Sequence, residues 1–326
     1  MKTVRKRNET IDVMRILASF MVVLIHIHLP EPVTGLSMAL GRFAVPFFFM
    51  VSGYYMRRED DGKTLEAAWR FFLSVLKMTG LSVLAVSVIN VAVSLIRGSA
   101  PFGWLTSFFA RDGLRLLLLY NRSHFLNSAM WYLLALVYAM VIILALLKLR
   151  VMRRAYWTIV PLLVWNLIRG EGMGMPWYTQ GNWLFMALPF LMLGMVLRDT
   201  GWARKIPAPA AWCMIAAGIA STCVEGPRFG EQVLYMGTVP VALGVIILCL
   251  QNEDRDWPDS VAEFGRRLTP WIFVLHCSLR DLVYACFGRP KDWTAVLMPF
   301  LFFLLSAMVA AAFRRLWCMI RRRQGA

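Results

Sequence analysis

Three residues near the amino terminus have the types and spacing to do chemistry in an apolar setting. The stretch "IDVMRILASFMVVLIHIH", residues 11–28, carries Asp12, Arg15 and His26 within a run that otherwise suits lipid. Arg15 and His26 are 11 positions apart. On an α-helix that is three turns and about 20° more, so both side chains leave one face, roughly 16 Å apart along the axis. Asp12 lies three residues before Arg15 and can pair with it. His28 is turned about 200° from His26, so helix geometry alone keeps it off that face. A charged side chain inside a bilayer is costly unless protein, water or a counter-ion receives it. Histidine is the side chain that gains and loses its proton near neutral pH. A cation at one end of a face and a titratable base at the other suit an elongated anionic molecule lying along the helix. A channel along that face is expected, with the charged end near Arg15 and the reactive end at His26. The plainer alternatives are an interfacial anchor for Arg15 and a hydrogen-bonded interior histidine for His26.

The elements that must hold this face are themselves apolar. The chain has 326 residues, 59% of them hydrophobic, and a mean hydropathy of +0.59. A soluble domain would be nearer half apolar. Runs such as "SVLAVSVINVAVSLI", "WYLLALVYAMVIILALL" and "VPVALGVIILCL" approach the length that crosses a bilayer as a helix. No ten-residue stretch alternates with a period of two, which disfavours an outer-membrane barrel. The expected fold is all-α, a polytopic membrane protein of about ten spans. These fall at 11–29, 43–56, 71–96, 131–149, 156–168, 183–197, 208–224, 233–251, 268–287 and 294–313.

The formal charge of +16 does not indicate nucleic acid, because Lys and Arg fall in short clusters between the apolar runs. With alternating sides and an inner start, 23 basic residues lie in inner segments and 10 in outer ones. That bias predicts both termini in the cytoplasm and a multi-pass protein of the plasma (inner) membrane. "MKTVRKR" resembles a signal peptide. Arg15, His26 and the lack of a prompt small-x-small site argue against its removal. Residues 1–326 read as one transmembrane domain without an appended soluble domain or internal repeat. The outer segment 97–130 contains "LRLLLLY" and is expected to form a re-entrant or surface lid, while 252–267 is strongly acidic. The six scattered cysteines suggest neither a disulfide framework nor a metal site.

The first helix resembles that of the membrane acyltransferase-3 family, whose hallmark is an Arg, ten residues and a His, often with an Asp three before the Arg. "GRFAVPFFFMVSGYYM" resembles the family's second motif through Val45, Pro46, Phe47–Phe49, Ser52 and Gly53. "AWRFFLSVLK" is similar to its basic third helix, with Arg70 and Lys77, and "AMWYLLALVYA", "NWLFMALPFLMLG" and "WIFVLH" are similar to later helices. The resemblance covers nearly the whole chain, most like the branch that forms the membrane half of serine/alanine racemases. Two positions depart from it: Ala129 stands where a His is frequent, and Phe72 where some branches carry a second Arg.

The resemblance implies acyl transfer from a cytoplasmic acyl-CoA, acetyl-CoA foremost, to a hydroxyl of an extracytoplasmic glycan or lipid-linked sugar. No metal is implied. His26 and Arg15 would be catalytic, with Ser52 and Tyr132 aiding as oxyanion donors. Arg15, Arg57, Arg58, Arg70 and Lys77 would hold the donor's phosphates. Trp131, Asn182 and His276 are the substrate-contact candidates, although a packing role is the plainer reading of His276 in "WIFVLHCSL". His28 and His124 lie near the outer surface and read as solvated unless they touch a sugar. Arg111, Arg115 and Arg122 form a solvated face unless they bind acceptor phosphate or lipid headgroups. Two rival classes are a multi-span transporter with His26 as proton relay and a non-catalytic membrane receptor.

Overall fold

A computed structural model describes residues 8–109, 112–290 and 293–324. The amino-terminal basic cluster and Arg111 lie outside the described residues. Sixteen α-helices and no strand occur among those described. They are α1 Glu9–His26, α2 Thr34–Gly41, α3 Ala44–Met56, α4 Asp61–Ile96, α5 Thr106–Phe109, α6 Gly113–Tyr120, α7 Trp131–Lys148 and α8 Met152–Ala155. Then follow α9 Ile159–Leu167, α10 Trp177–Gln180, α11 Leu188–Thr200, α12 Ala208–Phe229, α13 Thr238–Gln251, α14 Asp259–Arg267, α15 Thr269–Phe287 and α16 Met298–Gln324.

Six described segments are long and apolar enough to cross a membrane: 34–56, 61–96, 131–148, 183–200, 208–229 and 294–315. Helices α1, α9, α13 and α15 occupy the other four expected segments, and these are shorter, more charged or less apolar. The second expected span, short at 43–56, is lengthened to 23 residues by α2, which continues into α3 across Arg42 and Phe43. The third starts ten residues early. Asp60 caps α4 by accepting a hydrogen bond from the Lys63 N–H at 2.7 Å, and the polar first turns extend the helix beyond its apolar part.

Helix α1 begins where Asn8 accepts a hydrogen bond from the Ile11 N–H, with Glu9 and Asp12 in the first turn favouring the positive end of the helix dipole. The Asn8 amide donates to the Cys249 carbonyl at 2.8 Å, and Thr10 donates to the Asn252 carbonyl. The start of α1 is thus tied to the end of α13. Helices α3 and α11 approach through small residues. A Cβ at Gly53 would stand 2.0 Å from the Leu191 carbonyl oxygen, and one at Gly194 would stand 2.0 Å from that of Met50. Such contacts bring membrane helices together where lipid supplies no hydrophobic drive.

The segment 97–130 folds into short helices against the bundle. Tyr138 donates to the Leu117 carbonyl and Trp183 Nε1 to that of Leu119. Asn121 accepts from the Trp183 N–H and donates to the Trp131 carbonyl, which anchors the segment's end at the start of α7.

Candidate active site

Helix α1 is continuous from Glu9 to His26, so Arg15 and His26 do share a face. Arg15 Nη1 donates to Asp12 Oδ1 at 2.7 Å, and its guanidinium lies 5.9 Å from the centre of the Tyr55 ring. The Asp12 carboxylate is almost wholly buried, so the pair carries its charge into the protein rather than to lipid. Arg15 then faces a cavity of about 210 Å³ with Phe48, Ser52, Tyr132 and Phe273 in its wall. Ser52 and Tyr132 share that wall, and the Ser52 hydroxyl donates to the Phe48 carbonyl.

His26 is half-buried at the last turn of α1. It lines a second cavity of about 450 Å³, shared with Arg42, His124, Ser128, Trp131, Trp177 and Gln232. On its other side it lines a third, of about 570 Å³, with His28, Arg280 and Asp281. The chain leaves the helix after His26 in an extended conformation. That departure is what brings His28 beside His26, which helix geometry alone forbids. Arg280 Nη1 donates to the His26 carbonyl at 2.8 Å and pairs with Asp281, fixing the helix end.

The expected single channel is instead divided. Phe273 forms part of the wall of both the Arg15 cavity and the Trp131 cavity. Tyr132 stacks on Phe49 with centroids 4.6 Å apart and lies 4.6 Å from Phe273, and Phe48 meets Phe273 edge to face. Trp131 and Tyr132, consecutive at the start of α7, line different cavities. An aromatic partition therefore separates Arg15 from His26. One-dimensional spacing shows a shared face, but not what neighbouring helices insert across it.

The expected donor-binding cations scatter. Arg57 is fully buried, with Nε on Asp199 and Nη1 on Asp61, each at 2.5 Å. It is a bolt between α3, α4 and α11, which corrects its expected role as a phosphate ligand. Arg70 is exposed and lines no described cavity. Lys77 is exposed beside a shallow cleft of about 150 Å³ with Trp271 and Arg314. Arg58 does line a cavity, of about 350 Å³, where it is joined by Arg153, Arg198 and Arg204. Leu250, near the end of α13 and so near the start of α1, lies in the same wall. This basic cavity and Arg15 thus share one end of the bundle.

Two expected substrate contacts are otherwise engaged. The Asn182 carbonyl accepts from the Leu184 and Phe185 N–H groups and its amide donates to Thr179, so it caps the turn before α11. His276 is fully buried, with Nδ1 on the Ile272 carbonyl at 3.0 Å, and lines no described cavity. His124, read from sequence as solvated unless it touches a sugar, joins the His26 cavity, as do Ser128 and Arg42, which the sequence placed only in a loop and at a span end. Ser128 lies three residues before Trp131, close to the Ala129 position that departs from the family pattern, and that nearness was its one trace in the sequence.

A bundle of helices with six segments long and apolar enough to cross a membrane fits a polytopic membrane protein, and its histidine borders two cavities. A family model described as an acyltransferase domain matches residues 8–314, and the chain belongs to that family. It is 25% identical over 300 residues to a serine/alanine racemase from Enterococcus gallinarum. The match covers 83% of this chain and 40% of that protein, so the chain spans less than half of its relative's length. No solved structure matches the chain significantly.

Proposed function

We infer that this acyltransferase moves an acyl group from cytoplasmic acyl-CoA, acetyl-CoA foremost, to a hydroxyl of an extracytoplasmic acceptor, a glycan or lipid-linked sugar. The protein crosses the plasma membrane about ten times with both termini inside, as its basic clusters favour. The observation that carries this reading is the place of His26. It stands at the mouth of a cavity rich in aromatic and polar groups, across Phe273 from the cavity that holds Arg15, Ser52 and Tyr132.

His26 takes the proton of the acceptor hydroxyl, and the freed oxygen attacks the thioester carbonyl. Tyr132 and Ser52 face the developing oxyanion from the donor side. The carbon–sulfur bond then breaks, and the leaving thiolate takes the proton from His26 to give free CoA. Arg58, Arg153, Arg198 and Arg204 hold the donor's phosphates, and arginine's planar fork suits that task. For the two reactants to meet, Phe273 must swing out of the partition. Trp131 and Trp177 give flat apolar faces for a sugar ring, with Arg42 and Gln232 supplying hydrogen bonds.

The test is CoA release by the purified full chain, supplied with acetyl-CoA and candidate glycans. Wild-type protein should release CoA in an acceptor-dependent manner, and His26→Ala should lose at least about 100-fold of that rate with an unchanged melting temperature. Near-normal turnover by the variant rules the reading out. A second reading, a solute path with His26 as proton relay, is favoured by cavities on both sides of one partition. It predicts solute uptake into proteoliposomes and no CoA release.

A further inference from the structure

Behind His26 lie three side chains to which acyl transfer gives no task, His276, Cys277 and Ser128. His276 Nε2 is 3.2 Å from Cys277 Sγ, Cys277 Sγ is 3.3 Å from Ser128 Oγ, and Ser128 Oγ is 3.5 Å from His26 Nδ1. The metal-ligating atoms of His26, His276 and Cys277 all lie within 4.8 Å of one another. Zinc bonds of about 2.0–2.3 Å place the donors of a tetrahedral site about 3.3–3.8 Å apart. The three short separations match or nearly match such edges, so donors from α1, the loop before α7 and α15 already stand near the spacing a tetrahedral site needs. The Nδ1–H of His276 donates to the Ile272 carbonyl, which leaves Nε2 with its lone pair toward the cluster. That is the outer hydrogen bond that usually orients a metal-bound histidine. His26 borders two cavities, which supplies an entry path to an otherwise buried site. The nearby guanidiniums are themselves paired, Arg280 with Asp281 and Arg42 with Glu231, which offsets their repulsion of a cation.

The geometry points to a zinc site formed by His26 Nδ1, His276 Nε2 and the Cys277 thiolate, with the Ser128 oxygen or a cavity water as fourth donor. Binding releases the thiol proton to water. A thiolate and two imidazoles form a set that borderline-soft Zn²⁺ prefers over the oxygen-seeking Mg²⁺ or Ca²⁺. Resting on the acyl-transfer reading, the site has a consequence for the reaction. A zinc ion on His26 removes the general base, so occupancy switches transfer off, and removal of zinc by a chelator restores it.

Cobalt(II) tests the site without turnover, because a cobalt–thiolate bond absorbs in the near ultraviolet. The full chain, freed of metal in detergent, is titrated with Co²⁺. Wild-type protein should develop the charge-transfer band at one ion per chain, and Zn²⁺ should abolish it by displacement. Cys277→Ser should lose the band, and His276→Ala should weaken Co²⁺ affinity by about 100-fold or more. Cys286→Ser, at an exposed thiol away from the cluster, should keep it. Absence of a band in the wild type overturns the proposal, as does a band that survives Cys277→Ser. Should Cys277→Ser fail to fold, a wild-type melting temperature that zinc does not raise, where His276→Ala is well folded, overturns it equally. A cobalt band together with normal acyl transfer by His26→Ala would uphold the metal site while removing His26 from catalysis. The two readings therefore fail separately.

Discussion

Neighbouring arginines at positions 57 and 58 show how much a single step along the chain decides. Arg57 is fully enclosed by two carboxylates, whereas Arg58 reaches into the basic cavity. Removing one partner from a buried ion network leaves charge without compensation and costs about 3 kcal/mol or more. Arg57→Ala should therefore lower the melting temperature of the purified protein by several degrees, with donor binding by the folded fraction little changed. Arg58→Ala should leave melting unchanged and raise the KM for acyl-CoA severalfold without altering kcat, the pattern of a lost ground-state contact. The opposite assignment of the two phenotypes would remove the basic cavity from the donor site. From sequence the two residues look alike, because the partner that decides the matter, Asp199, is 142 positions away. Arg15 and His26 were legible because their relation is local, fixed by the pitch of one helix. His276, Cys277 and Ser128 were not, because α15 and the loop before α7 reach His26 only through the tertiary fold.

Helices carry the next level of constraint. The apolar lengths of most spans were readable, but their ends were not, since polar first turns such as that of α4 lie outside any hydropathy window. The cap there has an acid dependence. The Lys63 N–H chiefly holds the Asp60 carboxyl below its ordinary pKa, helped by the Lys63 ammonium and opposed by partial desolvation. The folded state then binds that proton less readily than the unfolded chain. The cap's contribution is complete above the unfolded carboxylate range and fades as pH falls through the lower, folded value. Hydrogen exchange at the first turn of α4 should accelerate over that window in the wild type and lose its dependence in Asp60→Asn. The α3–α11 contact is less forgiving. At Gly53 an added methyl meets backbone, not a flexible side-chain end. Gly53→Ala should force the helices apart and cost about 3 kcal/mol, at the upper end for overpacking. Its melting temperature should fall well below that of Gly80→Ala, where an added Cβ meets nothing within 4 Å. Equal melting of the two variants would show that α3 and α11 can separate freely.

At the scale of the whole molecule, the division of the expected channel bears most on function. An acyltransferase that joins reactants from two sides of a membrane must bring a thioester to a hydroxyl while keeping water from the thioester. The partition formed by Phe48, Tyr132 and Phe273 stands where that separation is needed, between the Arg15 cavity and the His26 cavity. Phe273 is the member common to both walls and only 5% exposed. Truncating a buried phenylalanine to alanine costs about 3–5 kcal/mol and leaves a cavity, so Phe273→Leu is the better probe. It thins the barrier while conserving much of the volume. With acetyl-CoA and no acceptor, wild-type protein should release CoA slowly, because the base lies behind the ring. Phe273→Leu should release it several times faster through hydrolysis, while acceptor-dependent transfer rises less, so the ratio of transfer to hydrolysis falls. Combining it with His26→Ala should abolish the extra hydrolysis if the leaked water is activated by the same base. Unchanged hydrolysis in a well-folded Phe273→Leu protein would mean that the thioester and His26 meet by another route, and the aromatic cluster would then be packing alone.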